Sequence, residues 1–150
     1  MAMKILVAEK IAQEGIDALR EKGYEVDVKP DQSRFELLRS IAEYDALIVR
    51  SGTAVDEELF EAAKNLKVVG RAGVGVDNID IDAATVHGVI VCNAPTSNII
   101  SAAELTMALL LGCARNVAAA DRTMKAGEWE RSRFNGVELH NKTLAIFGLG

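Results

Sequence analysis

The stretch KVVGRAGVGVDNIDIDAA, from Lys67 to Ala84, begins with an apolar β-branched run, passes through Gly70, Gly73 and Gly75, and then takes on helical periodicity. This order of residue types predicts a strand, a glycine-rich turn and a helix. Four further apolar runs precede the same kind of segment and begin at Lys4, Glu25, Ala46 and Val89. With the run that begins at Lys67, the five runs start 21, 21, 21 and 22 residues apart along the chain.

Strands that alternate with helices at this spacing, and that are apolar on both faces, predict a parallel sheet covered on both sides. We therefore expect an α/β fold in which residues 1–98 form a doubly wound, five-stranded domain of flavodoxin-like shape. Two local signals support the intervening helices. Gly23 lies where a helix C-cap glycine is expected, and Ser33 with Glu36 has the spacing of a capping box.

The alternation ends after Pro95. Ser101 and Glu104 have capping-box spacing and predict the start of a helix of about 25 residues, or roughly 37 Å. Its first half, Leu105–Leu111, is apolar nearly all round, which is typical of a helix buried on more than one side. An arm, EWERSRFNGVELHNK, and a strand, TLAIFG (residues 143–148), follow. These segments have no evident place in the first sheet, so they indicate a second domain.

Composition excludes several function classes. Seventeen Lys and Arg against 22 Asp and Glu give a net charge of −5, which disfavours nucleic acid or an anionic membrane as a partner. No stretch offers about 18 unbroken apolar residues for a membrane span. Cys92 and Cys113 lack C-x-x-C spacing and lie in apolar runs, so we expect reduced core thiols and a cytoplasmic protein. His87 and His140 have no partners at metal-ligand spacing, so no metal site is expected.

The glycine turn is the first candidate binding site. The amides of Gly73, Val74 and Gly75 can converge into an anion nest at the carboxyl end of a strand, with glycine supplying positive φ angles. That edge of an open α/β sheet is where ligands bind. The alternative is a tight turn that needs glycine for its conformation only, and spacing alone does not choose between them.

Two arginines and one asparagine could complete such a site. Arg50, in VRSGT, ends the third predicted strand, and Arg71 lies at the glycine turn. A guanidinium at either position can fork onto a carboxylate or phosphate, or form an exposed salt bridge. Asn98 can offer its amide to a ligand or cap the long helix. The terminal Gly148-Leu149-Gly150 can open a dinucleotide fingerprint, although a strand that ends in G-x-G is also a common turn.

Taken together, four segments resemble the D-2-hydroxyacid dehydrogenases, and most closely the members that act on 3-phosphoglycerate. The segments are VRSGT (49–53), VVGRAGVGVDNIDIDAA (68–84), NAP..N..SAAELTMALLL (93–111) and GEWERSRFNGVELHNKTLAIFGLG (127–150). The resemblance implies an oxidoreductase of serine biosynthesis that transfers hydride between NAD(H) and C2 of a phosphorylated 2-hydroxy acid. It implies a substrate domain over residues 1–98, without its C-terminal return segment. Residues 99–150 would be the linker helix, arm and first strand of a truncated Rossmann domain.

The resemblance also assigns roles to individual residues. Those expected to bind substrate are Arg50, Ser51, Arg71, Gly73, Val74, Gly75 and Asn98, with Arg131 or Arg133 reaching the phosphate of a neighbouring subunit. Those expected to contact the cofactor are Val74, Thr106, Gly148 and Gly150. The family's catalytic Arg, Glu and His would lie beyond residue 150, so we expect no catalytic residue and no dehydrogenase activity in this chain alone.

Other interpretations remain open. Another D-2-hydroxyacid dehydrogenase is possible, such as a glyoxylate or hydroxypyruvate reductase or a D-lactate dehydrogenase. A non-catalytic flavodoxin-like binding module is a further alternative, although Arg50 occupies the position where a receiver domain needs its phosphoacceptor aspartate. Because the apolar face of Leu105–Leu111 and the strand TLAIFG lack partners, we expect a homodimer that exchanges the long helix or the tail.

Overall fold

The computed structural model describes residues 2–148, and the chain divides into two compact units, Met1–Asn98 and Ile99–Gly150. The strands of the first unit are β1 (Lys4–Val7), β2 (Glu25–Val28), β3 (Ala46–Val49), β4 (Val68–Arg71) and β5 (Ile90–Asn93). All pair in parallel, in the order β2-β1-β3-β4-β5. The predicted five-stranded, flavodoxin-like sheet is therefore confirmed. Three strands begin at the predicted residue, and β4 and β5 begin one residue later.

Four α-helices connect these strands, α1 (Gln13–Glu21), α2 (Arg34–Ser40), α3 (Glu57–Ala62) and α4 (Ile81–Val86), and a 3-10 turn, Ile41–Glu43, follows α2. The predicted capping box at the start of α2 is confirmed, because the Ser33 hydroxyl accepts from the amide of Glu36 and the Glu36 carboxylate accepts from the amide of Ser33. Gly23 follows α1 with φ of 85°, which a side chain would resist and glycine adopts freely.

The two faces of the sheet are covered unequally. On one face, Leu6, Leu47 and Val69 are fully buried in a cluster that includes residues of α2, α3 and α4. On the other face, Ile16 of α1 packs in a cluster with side chains from β1, β2 and β3. This second cluster does not extend to β5, whose Ile90 is 63% exposed. The prediction that both sheet faces are covered therefore holds for β1–β3 and is wrong for the second face of β5.

The second unit begins with α5 (Ile99–Ala114) and α6 (Val117–Lys125), followed by a short 3-10 turn, Arg131–Phe134. The prediction of a single helix of about 25 residues is wrong, because the chain breaks between α5 and α6 and the two helices are bent by 66° relative to each other. Asn116 lies in that break with φ of 53°, a left-handed conformation that ends a helical run. The capping box predicted at Ser101 is also wrong, because α5 begins two residues earlier.

Most large apolar side chains of the second unit that the structure describes are exposed. Within the described chain no residue of α5 is buried, and Leu105 is 60% exposed, so the prediction of a helix buried on several sides is not met here. The strand expected over residues 143–148 is not formed, and Phe147 is 98% exposed. A strand needs a neighbour to receive its backbone hydrogen bonds, and the described residues give this segment none.

Both cysteines are free and exposed, so the prediction of core thiols is wrong. Cys92 lies on β5, where α1 does not cover the sheet, and Cys113 lies on the exposed α5.

Among residues 2–148 no single helix could cross a membrane by length and composition, and α5 with α6 would qualify only as a bent pair.

Candidate functional site

The candidate site lies at the carboxyl edge of the sheet in the first unit. The strand order reverses between β1 and β3, and the carboxyl ends of strands at such a switch point are where open α/β sheets bind ligands. Val49 pairs with Arg71 in register, so Arg50 follows directly beside the end of β4. Arg50 and the turn around Val74 therefore lie on the same edge, as the sequence predicts.

The guanidinium of Arg71 is held in place by the glycine turn that follows it. Its side chain is only 10% exposed. Its Nε donates to Oδ1 of Asn78 at 2.8 Å, and its Nη2 lies 3.3 Å from Oδ1 of Asp77. The alternative that Arg71 is an exposed salt-bridging arginine does not describe this arrangement, because the guanidinium is mostly enclosed and has a fixed orientation.

Asn78 also reaches the loop that follows β3. Its Nδ2 donates to the carbonyl of Arg50 at 2.8 Å and to the carbonyl of Thr53 at 2.6 Å. One side chain thus connects the Arg71 guanidinium to the backbone of Arg50. The distance between the two predicted anion-binding arginines is therefore set by hydrogen bonds as well as by the sheet.

Glu9, which follows β1, holds the same loop from the other side. Its carboxylate accepts from the amides of Arg50 at 2.9 Å, Gly52 at 3.1 Å and Thr53 at 2.9 Å. Partial burial acts to raise the pKa of Glu9, but these backbone hydrogen bonds outweigh burial and hold the pKa below its ordinary value. The loop therefore encloses an ionised carboxylate that belongs to the chain itself.

The glycine turn presents two amides without internal acceptors. The Gly73 amide donates to the carbonyl of Arg71 at 2.8 Å, while the Gly73 and Val74 carbonyls accept from Ala94 N and Asn93 Nδ2 at 2.9 and 2.7 Å. In the part of the chain that the structure describes, the amides of Val74 and Gly75 have no acceptor. They are the groups of the predicted nest that are free to bind an anion, whereas the amide of Gly73 is already used.

The predicted reason for glycine at this turn is wrong. Neither Gly73 nor Gly75 has a φ in the left-handed region. A Cβ at Gly75 would lie 2.8 Å from Oδ1 of Asp77 and 3.4 Å from Nη1 of Arg71, and a Cβ at Gly73 would lie 3.0 Å from the same Nη1. The glycines therefore leave room for the guanidinium beside the backbone.

Arg50 is exposed and lines a cleft of about 310 Å³ together with Glu9, Lys10, Pro30 and Asp31. Because three backbone amides surround the charge of Glu9, the side chain of Arg50 remains available to a ligand. Ser51 follows it in the same exposed loop.

The remaining predicted residues lie elsewhere in the chain. Asn98 ends the first unit, immediately before α5. Thr106 lies on α5 and its hydroxyl donates to the carbonyl of Ala102 at 2.7 Å. Arg131 is exposed in the 3-10 turn of the second unit.

Arg133 and the predicted fingerprint glycines complete that set. Nη1 of Arg133 donates to the carboxylate of Glu130 at 2.6 Å, and this contact raises the pKa of the guanidinium. Gly148 has φ of 103°, which suits the tight turn that the first fingerprint glycine makes. Gly150 lies outside the described residues. The structure thus brings together Arg50, Ser51, Arg71 and the glycine turn.

Sequence reasoning missed Glu9, Asn78 and Asn93. Glu9 and Asn93 lie at the carboxyl ends of β1 and β5, so their position along the strands was the available signal. Asn78 carried no such signal, because its role depends on the approach of two loops that are 25 residues apart, at Thr53 and Asn78. Among residues 2–148 no group of three His, Cys, Asp or Glu side chains could hold a metal ion.

Comparison with known proteins identifies the family. Residues 5–144 match the family described as D-isomer specific 2-hydroxyacid dehydrogenase, catalytic domain. The chain belongs to the D-isomer specific 2-hydroxyacid dehydrogenases. The predicted resemblance is therefore confirmed, and members of this family are NAD-dependent oxidoreductases.

Similar members of the family carry a more specific name. The chain is 56% identical over 148 residues to D-3-phosphoglycerate dehydrogenase of Archaeoglobus fulgidus, covering 99% of this chain and 28% of that protein. It is 58% identical over 148 residues to the chloroplastic D-3-phosphoglycerate dehydrogenase 2 of Arabidopsis thaliana, covering 98% and 24%. The chain thus spans about a quarter of the length of these relatives.

A solved structure of the family contains the cofactor. The NAD⁺-bound 3-phosphoglycerate dehydrogenase of Entamoeba histolytica superimposes with a TM-score of 0.68 at 32% identity, covering 77% of this chain and 40% of that one. In the present 2-hydroxyacid dehydrogenase chain, the positive φ of Gly148 fits a dinucleotide turn, and Val74 is 41% exposed beside the candidate substrate site.

Proposed function

We propose that the protein is an NAD-dependent dehydrogenase of a phosphorylated 2-hydroxy acid, 3-phosphoglycerate, and that the first unit is its substrate-binding domain. The observation that carries this proposal is the arrangement at the carboxyl edge, where Arg50, Arg71 and the amides of Val74 and Gly75 lie together. The high identity to proteins named D-3-phosphoglycerate dehydrogenase supports the choice of substrate.

Each group has a role that follows from its surroundings. The amides of Val74 and Gly75 bind the substrate carboxylate, because two adjacent N–H groups without internal acceptors suit its two oxygens. Nη1 of Arg71 lies beside these amides and adds a charge-assisted hydrogen bond. The exposed Arg50 binds the phosphate, since its planar guanidinium can offer two parallel donors.

Binding at this edge orients C2 of the substrate. NAD, held by the nucleotide domain, would accept the hydride from C2 at its nicotinamide C4. Val74 presents an apolar side chain beside the carboxylate-binding amides and thereby excludes water from that side of the substrate. The second unit, with Thr106 and Gly148, contributes to the nucleotide domain in this proposal.

We also infer a homodimer in the cytosol. The free cysteines suit a reducing compartment. Leu105 and Leu109 are 60% and 59% exposed on α5, and a second copy of this apolar helix would cover them. Leu109→Glu should convert the dimer to monomer in sedimentation equilibrium, whereas Ala119→Glu on α6 should not. A wild-type chain that sediments as a monomer would contradict the dimer.

Calorimetric titration with 3-phosphoglycerate tests the proposed substrate. Arg50→Ala should weaken binding by about 10- to 100-fold, because it removes a charge-assisted hydrogen bond. Arg39→Ala on α2 is the matched control and should bind as the wild type does. D-glycerate should bind more weakly than 3-phosphoglycerate by a similar factor. Equal affinity for both acids would favour a dehydrogenase of an unphosphorylated substrate, and binding of neither would refute the proposal.

A further inference from the structure

We propose that Asn78 is a positioning residue that fixes the Arg71 guanidinium relative to Arg50, and so sets the affinity of the site for its anionic ligand. This inference rests on the proposed function for its ligand, and on the geometry of the glycine turn for its mechanism. Asn78 was assigned no role by the sequence pattern, and it contacts both arginines.

The chemistry of the side chain explains why an asparagine stands at this position. A primary amide carries one acceptor oxygen and two N–H donors. The Asn78 oxygen accepts from Nε of Arg71 at 2.8 Å, and its nitrogen donates to the carbonyls of Arg50 and Thr53 at 2.8 and 2.6 Å. Aspartate would keep the acceptor and lose both donors, and alanine would lose all three contacts.

Arg71 depends on Asn78 for its orientation. The other side-chain contact of its guanidinium within the described residues is Oδ1 of Asp77 at 3.3 Å, and the Asp77 side chain is 80% exposed. Exposed ion pairs restrain a side chain weakly because solvent screens them. Without Asn78 the guanidinium would keep its charge but lose the fixed direction in which Nη1 lies beside Gly73 and Gly75.

The loop after β3 has a second support, which makes the effect of Asn78 separable from folding. Glu9 accepts from the amides of Arg50, Gly52 and Thr53, so the loop retains three hydrogen bonds when Asn78 is changed. Asn78 is half-buried and outside the two core clusters. An Asn78 variant should therefore fold while the two arginines lose their shared support.

Two variants and one control test this inference. Asn78→Ala removes all three contacts, and Asn78→Asp keeps the acceptor for Arg71. Asn65→Ala is the matched control, because Nδ2 of Asn65 also donates to a backbone carbonyl, that of Ala42 at 2.7 Å, in the loop before β4 at the opposite edge of the sheet. The readouts are the NMR signal of the Arg71 Nε–H group, with its rate of hydrogen exchange, and the Kd for 3-phosphoglycerate.

In the wild type and in Asn65→Ala, the Arg71 Nε–H signal should be protected from exchange. In Asn78→Ala it should exchange faster, and the Kd should rise by about 5- to 30-fold, as expected if the misdirected Arg71 guanidinium loses one or two hydrogen bonds to the ligand. Asn78→Asp should keep the protected signal and show a smaller rise in Kd. Should Asn78→Ala fail to fold, Asn78→Ser, whose shorter side chain also removes the acceptor from Nε of Arg71, supplies the same comparison.

An Asn78→Ala chain with a protected Nε–H group and wild-type affinity would overturn the inference. A wild-type chain that does not bind 3-phosphoglycerate would refute the proposed function. The Nε–H measurement needs no ligand, so it would still decide whether Asn78 positions Arg71. The two failures are therefore distinguishable.

Discussion

The carboxylate of Glu9 accepts a hydrogen bond from the backbone amide of Arg50 at 2.9 Å. This contact joins the carboxyl ends of β1 and β3, the two strands between which the order of the sheet reverses. An internal carboxylate thus holds the loop that presents Arg50, while the side chain of Arg50 remains exposed.

Glu9→Gln should destabilise the first unit by about 1–3 kcal/mol at neutral pH, because a neutral amide replaces a carboxylate that accepts three backbone hydrogen bonds. The pKa of Glu9 is depressed in the folded state. Burial acts to raise the pKa, but the hydrogen bonds from Arg50, Gly52 and Thr53 lower it by more than burial raises it. Its contribution is therefore present above the ordinary glutamate pKa and is lost as pH falls through the folded value.

Urea unfolding of the wild type and Glu9→Gln at about pH 7 and about pH 3 checks this expectation, since the difference in free energy should shrink at the lower pH. Glu61→Gln, an exposed change on α3, is the control. A difference between Glu9→Gln and wild type that does not depend on pH would contradict the role given to the ionised carboxylate.

Asp77→Asn should strengthen binding of 3-phosphoglycerate by about two- to fivefold, which is the range of an exposed ion pair. The Asp77 carboxylate lies 3.3 Å from Nη2 of Arg71 and competes with an incoming anion. Calorimetric titration measures the change, with Glu61→Gln as a variant of equal charge outside the site. Weaker binding by Asp77→Asn would mean that the carboxylate orients Arg71 more than it competes with the ligand.

The N-cap of α3 should contribute more to stability than the N-cap of α4. Asp56 and Asp80 each accept from the amide three residues ahead, Leu59 at 3.1 Å and Ala83 at 2.9 Å. Asp56 additionally pairs with Arg34. Asp56→Ala and Asp80→Ala should each lower the free energy of unfolding, measured with urea, by about 0.5–2 kcal/mol, and Asp56→Ala should lie toward the upper end. Equal losses would show that the Arg34 pair adds nothing measurable.

Asn116→Gly should leave the break between α5 and α6 intact, because glycine adopts the left-handed conformation without strain. Asn116→Ala should destabilise the second unit by about 1 kcal/mol, since alanine resists a φ of 53°. Thermal unfolding followed by circular dichroism compares the two. A more helical and more stable Asn116→Ala chain would contradict the assignment of the break to Asn116.

The sheet was predictable because its signals are local and repeated. Apolar runs at regular spacing fixed the five strands, and Ser33 and Gly23 marked helix ends through contacts within one turn. The break at Asn116 was missed because asparagine can adopt the left-handed conformation but, unlike glycine, does not by itself predict the end of a helix. The arginines of the candidate site were predictable from their positions at strand ends.

The contacts that hold those arginines were not predictable. Asn78 and Glu9 act on a loop 25 to 44 residues away, and only the folded sheet brings these segments together. The exposure of α5 was not predictable either. An apolar helix is expected to pack against other elements, but the sequence does not identify those elements.

The central claim is that the edge holding Arg50 and the glycine turn binds a small phosphorylated acid. Titration of the ¹⁵N-labelled chain with 3-phosphoglycerate tests it most directly. The amide signals of Val74 and Gly75 should show the largest chemical-shift changes. Arg50→Ala should move the midpoint of the titration to a higher concentration of 3-phosphoglycerate. Shifts confined to other residues, or no shifts at millimolar ligand, would contradict the account.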